Sequence, residues 1–461
     1  MHAHLPAAST ATRPPRAFPV PDTAAIGASD ESASSAPLAA RCSAPIRLAG
    51  ERLTVDRETG EIVERFASAD APDGVVLVAC GNRRSSRCPS CSTTYRRDAY
   101  SLVRAGLAGD EPRGISAELA GHPRVFATLT APSFGAVHRR VVHGGGVLPC
   151  RRGASDPTCV HDRPVSCRIR HEKDEPSLGQ PLCPQCYDYE GAVLWNAHAG
   201  VLWRRTTIAM SRILAARAGV SRTEIGGLAR LSFVKVAEFQ ARGLVHLHVI
   251  LRLDGPERSA PPSWATTELL AEIVAEAAAQ TSLRIKRPDG AQLEIRWGSQ
   301  LDIRSIRPNA EGECSDVRVA GYLAKYATKA AENAGGADRR LRSSYEIGQL
   351  AVTDHARAMM ATCWALGADP RYEHLRLRAW AHMLGFRGHF LTKARRYSVT
   401  FGALRTARVR FRTTLALFGR ALAGETVFDA DSTLVIGGFS FAGVGMPNLM
   451  AARWSAEGSA P

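Results

Sequence analysis

Two histidines, His246 and His248, stand one residue apart in GLVHLHVILRLDG, Gly243 to Gly255, among leucine, valine and isoleucine. Neutral imidazoles bind divalent metals, and two on one strand face can share an ion. A carboxylate, Glu238, lies in the segment just before them. Further along, GYLAKYATK (Gly321–Lys329) carries Tyr322, Lys325, Tyr326 and Lys329. A phenol ionises near pH 10, so it attacks only where a cation or a polarised electrophile favours the phenolate. CPSC (Cys88–Cys91) and CPQC (Cys183–Cys186) pair thiols at a spacing that grips one zinc.

These residues need elements to position them. LSFVKVAEF (Leu231–Phe239) alternates as a strand, and Gly243–Leu253 reads as its partner. QARG (Gln240–Gly243) suits a three-residue hairpin loop, with a turn on Ala241 and Arg242 and a left-handed glycine. That loop pairs Gln240 with Leu244 and sets Glu238 opposite His246. Side chains alternate across a strand, so Glu238, His246 and His248 share one face, while Leu247, Val249 and Leu251 point the other way. The face predicts a divalent metal site with open positions. The plain alternative is a pair of hydrogen-bonded core histidines, and a one-residue slip would turn Glu238 away.

VRVAGYLAKYATKAAENAGG (Val317–Gly336) predicts a helix that stops at the double glycine. On it Tyr322 and Tyr326 share a face, with Lys325 and Lys329 on its flank. RVFATLTAPSF (Arg124–Phe134) and LDIRSI (Leu301–Ile306) read as strands; Glu190–Arg217 and TTELLAEIVAEAAAQT (Thr266–Thr281) read as helices, the latter with a threonine cap. The order is strand, insertion, helix, strand, strand, helix, strand, helix. It predicts an α+β fold, an antiparallel sheet with helices on one face in a split βαβ plan.

The chain has 461 residues, enough for two or three domains. Residues 1–45, rich in Ala, Ser and Pro, read as a disordered tail. A cysteine-containing region spans 46–120, and a central domain spans 121–336 with a cysteine-rich insertion at 138–189. A basic, mainly helical region follows at 337–461. The net charge is +15 with a pI of about 9.7, which makes nucleic acid the expected partner. No apolar run is long enough to cross a membrane and no signal core opens the chain, so a cytoplasmic location is expected.

In that compartment eleven cysteines predict metal rather than disulfides. Cys80, Cys88, Cys91, Cys150, Cys159, Cys183 and Cys186 are the candidate ligands of structural zinc, with Cys167, His161 and His171 close by. One ribbon joining both pairs, or two sites completed by the extra ligands, both fit. Cys42, Cys314 and Cys363 read as unliganded. KARRYSVTFGALRTARVRFR (Lys393–Arg412) interleaves seven basic residues with Tyr397, Phe401 and Phe411. It predicts DNA contacts by Lys393, Arg395, Arg396, Arg405 and Arg408, joined by Lys329. A solvated helix face is the alternative.

FATLT (Phe126–Thr130), VHLHVIL (Val245–Leu251) and YLAKYATK (Tyr322–Lys329) together resemble three motifs of the HUH endonucleases, in that family's order. More closely they resemble rolling-circle replication initiators of actinobacterial plasmids in their two-tyrosine form. LGFRGHFLTKARRYS (Leu384–Ser398) resembles a C-terminal segment of the same group. The resemblance implies that residues 121–336 are an endonuclease domain. Tyr326 or Tyr322, beside Lys325, would attack a phosphodiester in a single-stranded or extruded origin, leaving a 5′-phosphotyrosine and a free 3′-hydroxyl primer. His246, His248 and Glu238 would hold Mg²⁺ or Mn²⁺. A host helicase would be a further partner. A two-tyrosine transposase is the rival with the same chemistry. A zinc-ribbon DNA-binding regulator is the rival without catalysis, and it leaves the histidine and tyrosine pairs unexplained.

Overall fold

The strand that carries the two histidines lies at the centre of the main sheet, with helices over both of its faces. The computed structural model describes residues 39, 41–71, 73–151, 158–307, 315–329, 335–422 and 432–446. The chain begins with β1 (Ile46–Asp56), β2 (Ile62–Ala67), β3 (Val76–Val78) and helix α1 (Pro89–Ala108). Next come β4 (Arg124–Leu129), the small hairpin β5 (Val141–His143) and β6 (Gly146–Leu148), and the long helix α2 (Tyr189–Arg217). β7 (Arg230–Phe239), β8 (Val245–Asp254), α3 (Thr267–Gln280), β9 (Ser282–Lys286), β10 (Gln292–Arg296), β11 (Leu301–Ser305) and α4 (Asp316–Ala327) follow. α5 (Ser344–Gln349), α6 (Asp354–Leu366), β12 (Leu391–Lys393), α7 (Phe401–Leu422) and β13 (Thr433–Val444) come last, with a single helical turn, Leu377–Trp380, and short 3-10 turns between elements.

The central sheet has the order β11-β4-β8-β7-β12, antiparallel throughout. Val125, Ala127, Leu129, Leu247, Val249 and Leu251 line one face and join a core with α2, α3 and α6, including Leu194, Trp195, Leu202, Ile273 and Met360. Phe126, Val234, Val236 and Ile250 line the opposite face and join a second core with Leu102, Val103 and Leu107 of α1 and Val319 and Leu323 of α4. Helices therefore cover both faces, which corrects the expectation of a one-sided layer. The reason lies in the sheet as a whole: Val125, Ala127, Leu247 and Val249 make one face apolar and Phe126, Val234, Val236 and Ile250 make part of the other so, and both need a cover. Each Leu, Ile or Phe left in water would forfeit roughly 1.5–3 kcal/mol.

A buried polar knot fastens α1 to this sheet. The Asp254 carboxylate accepts from Arg252 Nη2 at 2.9 Å and from Ser232 Oγ at 2.6 Å, and meets His122 Nδ1 at 2.9 Å. Arg252 also donates to the Gly106 carbonyl, and Arg124 to that of Leu107.

Three further sequence expectations are corrected. The C-terminal region is not wholly helical: β13 pairs with β1 antiparallel from Asp56↔Thr433 to Ile46↔Val444. TLVIGGFSFAGV has β-branched and aromatic residues and lacks a helical period, so it suits a strand. The tyrosine helix ends at Ala327 rather than at Gly336. Thr328 N turns back to donate to Lys325 O at 3.3 Å, which closes the helix early. Cys42 is buried beside Cys88 and Cys91 rather than standing alone. Cys363 is a fully buried thiol of the main core. Cys314 and almost all of the expected tail lie outside the described residues. Among the described residues no helix is long and apolar enough to cross a membrane.

Candidate metal and tyrosine site

The hairpin fixes the face that carries the candidate ligands. Gln240 N donates to Leu244 O at 2.8 Å and Gly243 N to Gln240 O at 2.9 Å. Gly243 has φ 73°, the left-handed conformation that glycine adopts without a steric penalty. Glu238 then stands opposite His246. Its Oε2 lies 3.0 Å from His246 Nε2 and 3.0 Å from His248 Nε2. Its Oε1 accepts from Lys329 Nζ at 2.8 Å.

The neighbouring strand orients the second histidine. β4 places Thr128 opposite His248, and Thr128 Oγ1 lies 3.1 Å from His248 Nδ1. Phe126 stacks on the same imidazole at 5.8 Å between ring centroids. With Nδ1 engaged by the hydroxyl, Nε2 is the nitrogen presented to the carboxylate. Such outer partners fix the tautomer and aim of a ligating imidazole.

Burial and partners set the charges. Burial works to raise the Glu238 pKa, but hydrogen bonds from His246 and His248 overcome it and hold the carboxyl well below the usual range. Burial, then the nearby His246, lowers His248 to about 4, against the pull of Glu238. An ionised carboxylate and a neutral buried imidazole are what a cation requires of its ligands. The donor atoms of Glu238, His246 and His248 lie within 4.8 Å of one another. Two nitrogens and a carboxylate oxygen therefore fit a hard or borderline divalent ion with positions left open.

α4 brings the phenols to this cluster. Ser315 caps the helix by accepting from Arg318 N at 3.3 Å. Tyr322 Oη lies 3.3 Å from His248 Nε2, and the two tyrosine rings are 4.4 Å apart. The Tyr326 ring lies 5.5 Å from that of His248. Burial, then Glu238, pushes Tyr326 up to about 12; burial, then Tyr326 and Glu238, raises Tyr322 further. Both phenols therefore need a nearby cation or a polarised electrophile to attack.

The two lysines part company. Lys325 is exposed to solvent, away from the cluster. Lys329, expected to contact DNA, lies just past the helix end, where Lys329 N donates to Tyr326 O at 3.1 Å. That turn swings its ammonium to 4.2 Å from the centre of the Tyr326 ring. Arg83 secures the turn, donating to Ala327 O at 3.2 Å and to Lys329 O. No spacing in the sequence marks Arg83. Thr128 had a visible signal, the threonine of the FATLT strand.

The basic run divides as well. Arg395, Arg396 and Arg405 are exposed. Lys393 Nζ instead donates to Ser398 O at 2.9 Å, and Arg408 Nη2 pairs with Asp98 Oδ2 at 2.9 Å. Tyr397 is fully buried, donating to Val103 O at 3.1 Å, and so cannot stack on a base. Phe401 stacks on Tyr95 at 5.0 Å, whereas Phe411 is exposed.

Among the described residues, nine cysteines and three histidines form three groups: Cys42, Cys80, Cys88 and Cys91; His138, Cys150, Cys167 and His171; and Cys159, His161, Cys183 and Cys186. CPSC and CPQC fall in different groups, so a single ribbon joining them does not occur.

A family model described as the replication initiator protein of pSAM2 matches residues 29–459. A replication initiator protein of Streptomyces ambofaciens is 48% identical over 407 residues, covering 87% of this chain and 83% of that protein. No solved structure matches the chain.

Proposed function

The chain belongs to the pSAM2 replication initiator family, and on that premise we propose that it starts replication as an HUH-type, two-tyrosine DNA nicking and rejoining enzyme. One observation carries the reading: the Tyr322 hydroxyl lies 3.3 Å from Nε2 of His248, on the same face as Glu238 and His246. A candidate nucleophile and a candidate metal-ligand set thus meet between a strand pair and a helix.

The reaction is a transesterification. A tyrosine oxygen forms a bond to phosphorus as the bond to the 3′-oxygen breaks. The phenolic proton leaves, the 3′-oxygen gains one, and a 5′-phosphotyrosine remains. The ester conserves the bond energy, so rejoining needs no nucleotide cofactor. When His246, His248 and Glu238 hold Mg²⁺ or Mn²⁺, the ion supplies a Lewis acid to the scissile phosphate.

The chain's own residues do the rest. Thr128 holds His248 in one orientation. Lys329 places a positive charge over the Tyr326 ring, where it favours negative charge on that phenol. Tyr322 and Tyr326 stand side by side, so one can nick while the other attacks the new junction. Exposed Arg395, Arg396 and Arg405 provide phosphate contacts for origin DNA.

The test is nicking of a supercoiled plasmid carrying the cognate origin, with Mg²⁺ or Mn²⁺. The wild type is expected to give open circles and Tyr322→Phe/Tyr326→Phe none. Equal nicking by the double variant would overturn the reading.

A further inference from the structure

We propose that the protein carries three structural zinc ions, one per cysteine–histidine group, and that two of them cross-brace the insertion at 138–189. The proposal is independent of the nicking chemistry, because none of these ligands belongs to the tyrosine site.

The distances are those of single-ion sites. Sγ of Cys42 lies 3.7 Å from those of Cys88 and Cys91, and Sγ of Cys80 lies 3.7 Å from that of Cys91. A disulfide would bring two sulfurs to about 2.05 Å. Four sulfurs at about 2.3 Å from a tetrahedral zinc stand about 3.8 Å apart. In the second group Cys167 Sγ lies 3.5 Å from His171 Nε2, and His138 Nδ1 lies 3.1 Å from the same nitrogen. In the third, His161 Nδ1 lies 3.9, 3.7 and 3.2 Å from the sulfurs of Cys159, Cys183 and Cys186. Mixed nitrogen–sulfur edges of a zinc tetrahedron are about 3.5 Å. The sets are Cys₄, Cys₂His₂ and Cys₃His, the three compositions of closed structural zinc sites.

The surroundings are those of ligands rather than of idle thiols. Ser43 N donates to Cys88 Sγ at 3.4 Å, Cys80 N to Cys42 Sγ at 3.3 Å and Arg139 N to Cys150 Sγ at 3.2 Å. Such donors stabilise thiolates. His171 turns Nε2 to its group while Nδ1 meets Glu175 Oε1 at 2.6 Å, which fixes the ring as a carboxylate behind a zinc-bound imidazole does.

Chain order supplies the cross-brace. Within the insertion the ligand pairs are 138 and 150, 159 and 161, 167 and 171, then 183 and 186. The first and third pairs build one site, and the second and fourth build the other. Neither site can close without the segment that carries the other. The described residues buried between 138 and 186 are Cys150, Cys167, His171, Gly179, Pro181 and Cys183. No large apolar side chain is among them, so the described residues between 138 and 186 form no apolar core of their own, and metal would supply the missing staple.

The experiment is native mass spectrometry with elemental analysis of the full chain. His246→Ala/His248→Ala protein is used, so that the tyrosine site contributes no zinc. Three zinc ions per chain are expected. Cys42→Ser should hold two. Cys167→Ser should lose its own ion, and the ion of the Cys₃His site should then pass to a chelator at least tenfold faster than in the parent. Should either variant fail to fold, cobalt substitution of the parent decides: its thiolate–metal absorption should saturate at three equivalents. Fewer than three zinc ions in folded parent protein, or disulfides in place of free thiols, would overturn the proposal. Unchanged zinc release from Cys167→Ser would overturn the cross-brace.

Discussion

Thr128→Val tests whether the tyrosine site is built around a metal rather than around a hydrogen-bonded histidine pair. The change removes one hydroxyl and keeps the shape of the side chain. His248 is 3% exposed, so no water easily replaces the lost partner at Nδ1. A buried polar group left unpaired costs about 1–3 kcal/mol. The cost falls on the orientation that presents Nε2, so it appears in metal affinity as a loss of about 5- to 150-fold, at 1.4 kcal/mol per factor of ten. That range brackets the roughly 10- to 100-fold losses seen when outer partners of ligands are removed. The assay is calorimetric titration of metal-free protein with Mn²⁺, with circular dichroism to show an intact fold. Wild-type affinity in folded Thr128→Val would refute the assignment of Thr128 as the residue that aims His248.

Arg83→Ala should lower the nicking rate about tenfold with little change in DNA affinity, because Arg83 holds the turn that presents Lys329; Arg83→Lys should restore part of the rate. Single-turnover nicking and a filter-binding titration separate the two effects, and a loss confined to DNA affinity would refute the positioning role. Asp254→Asn leaves buried Arg252 without its carboxylate and should cost about 3–5 kcal/mol of stability in a denaturant titration; a cost below about 1 kcal/mol would show that the knot is not structural. Burial opposes the charge of Asp254, but His122 and Arg252 overcome it and set its pKa at about 2, below its ordinary 3.8. The stabilisation is therefore full above pH 3.8 and lost as the pH falls through 2, a change of about 2 kcal/mol that Asp254→Asn should lack. Arg395→Ala/Arg396→Ala should reduce the salt dependence of origin binding by about two phosphate contacts, and an unchanged slope would show that these arginines face solvent alone.

Much of the site was legible because it rests on short-range periodicity. The turn QARG and the alternation of β7 and β8 set Glu238 opposite His246 from local rules alone. Helical spacing put Tyr322 and Tyr326 on one face. What escaped depends on distant segments. Along a continuous helix Lys325 read as the lysine beside the tyrosines and Lys329 as a DNA contact, but the helix closes at Ala327 and only Lys329 turns inward. Arg83 reaches that turn from a cysteine loop remote in sequence, and nothing in its neighbours announces this. Cys42 looked isolated because its partners enter from beyond β1. The strand Thr433–Val444 pairs with Ile46–Asp56, a contact between segments far apart in sequence that no local pattern encodes. Tyr397 read as a stacking residue because its neighbours are basic, whereas its ring fills the space beside Gly106, where a β-carbon would come within 2.2 Å of it.

The most direct measurement is the position of the covalent bond to DNA. The protein is incubated with a single-stranded origin oligonucleotide and Mn²⁺, digested, and the DNA-linked peptide sequenced by mass spectrometry. A 5′-phosphotyrosine at Tyr322 or Tyr326 is the predicted result. Nicking with no protein-linked 5′ end, or with the DNA attached to any residue outside Tyr322 and Tyr326, would contradict it.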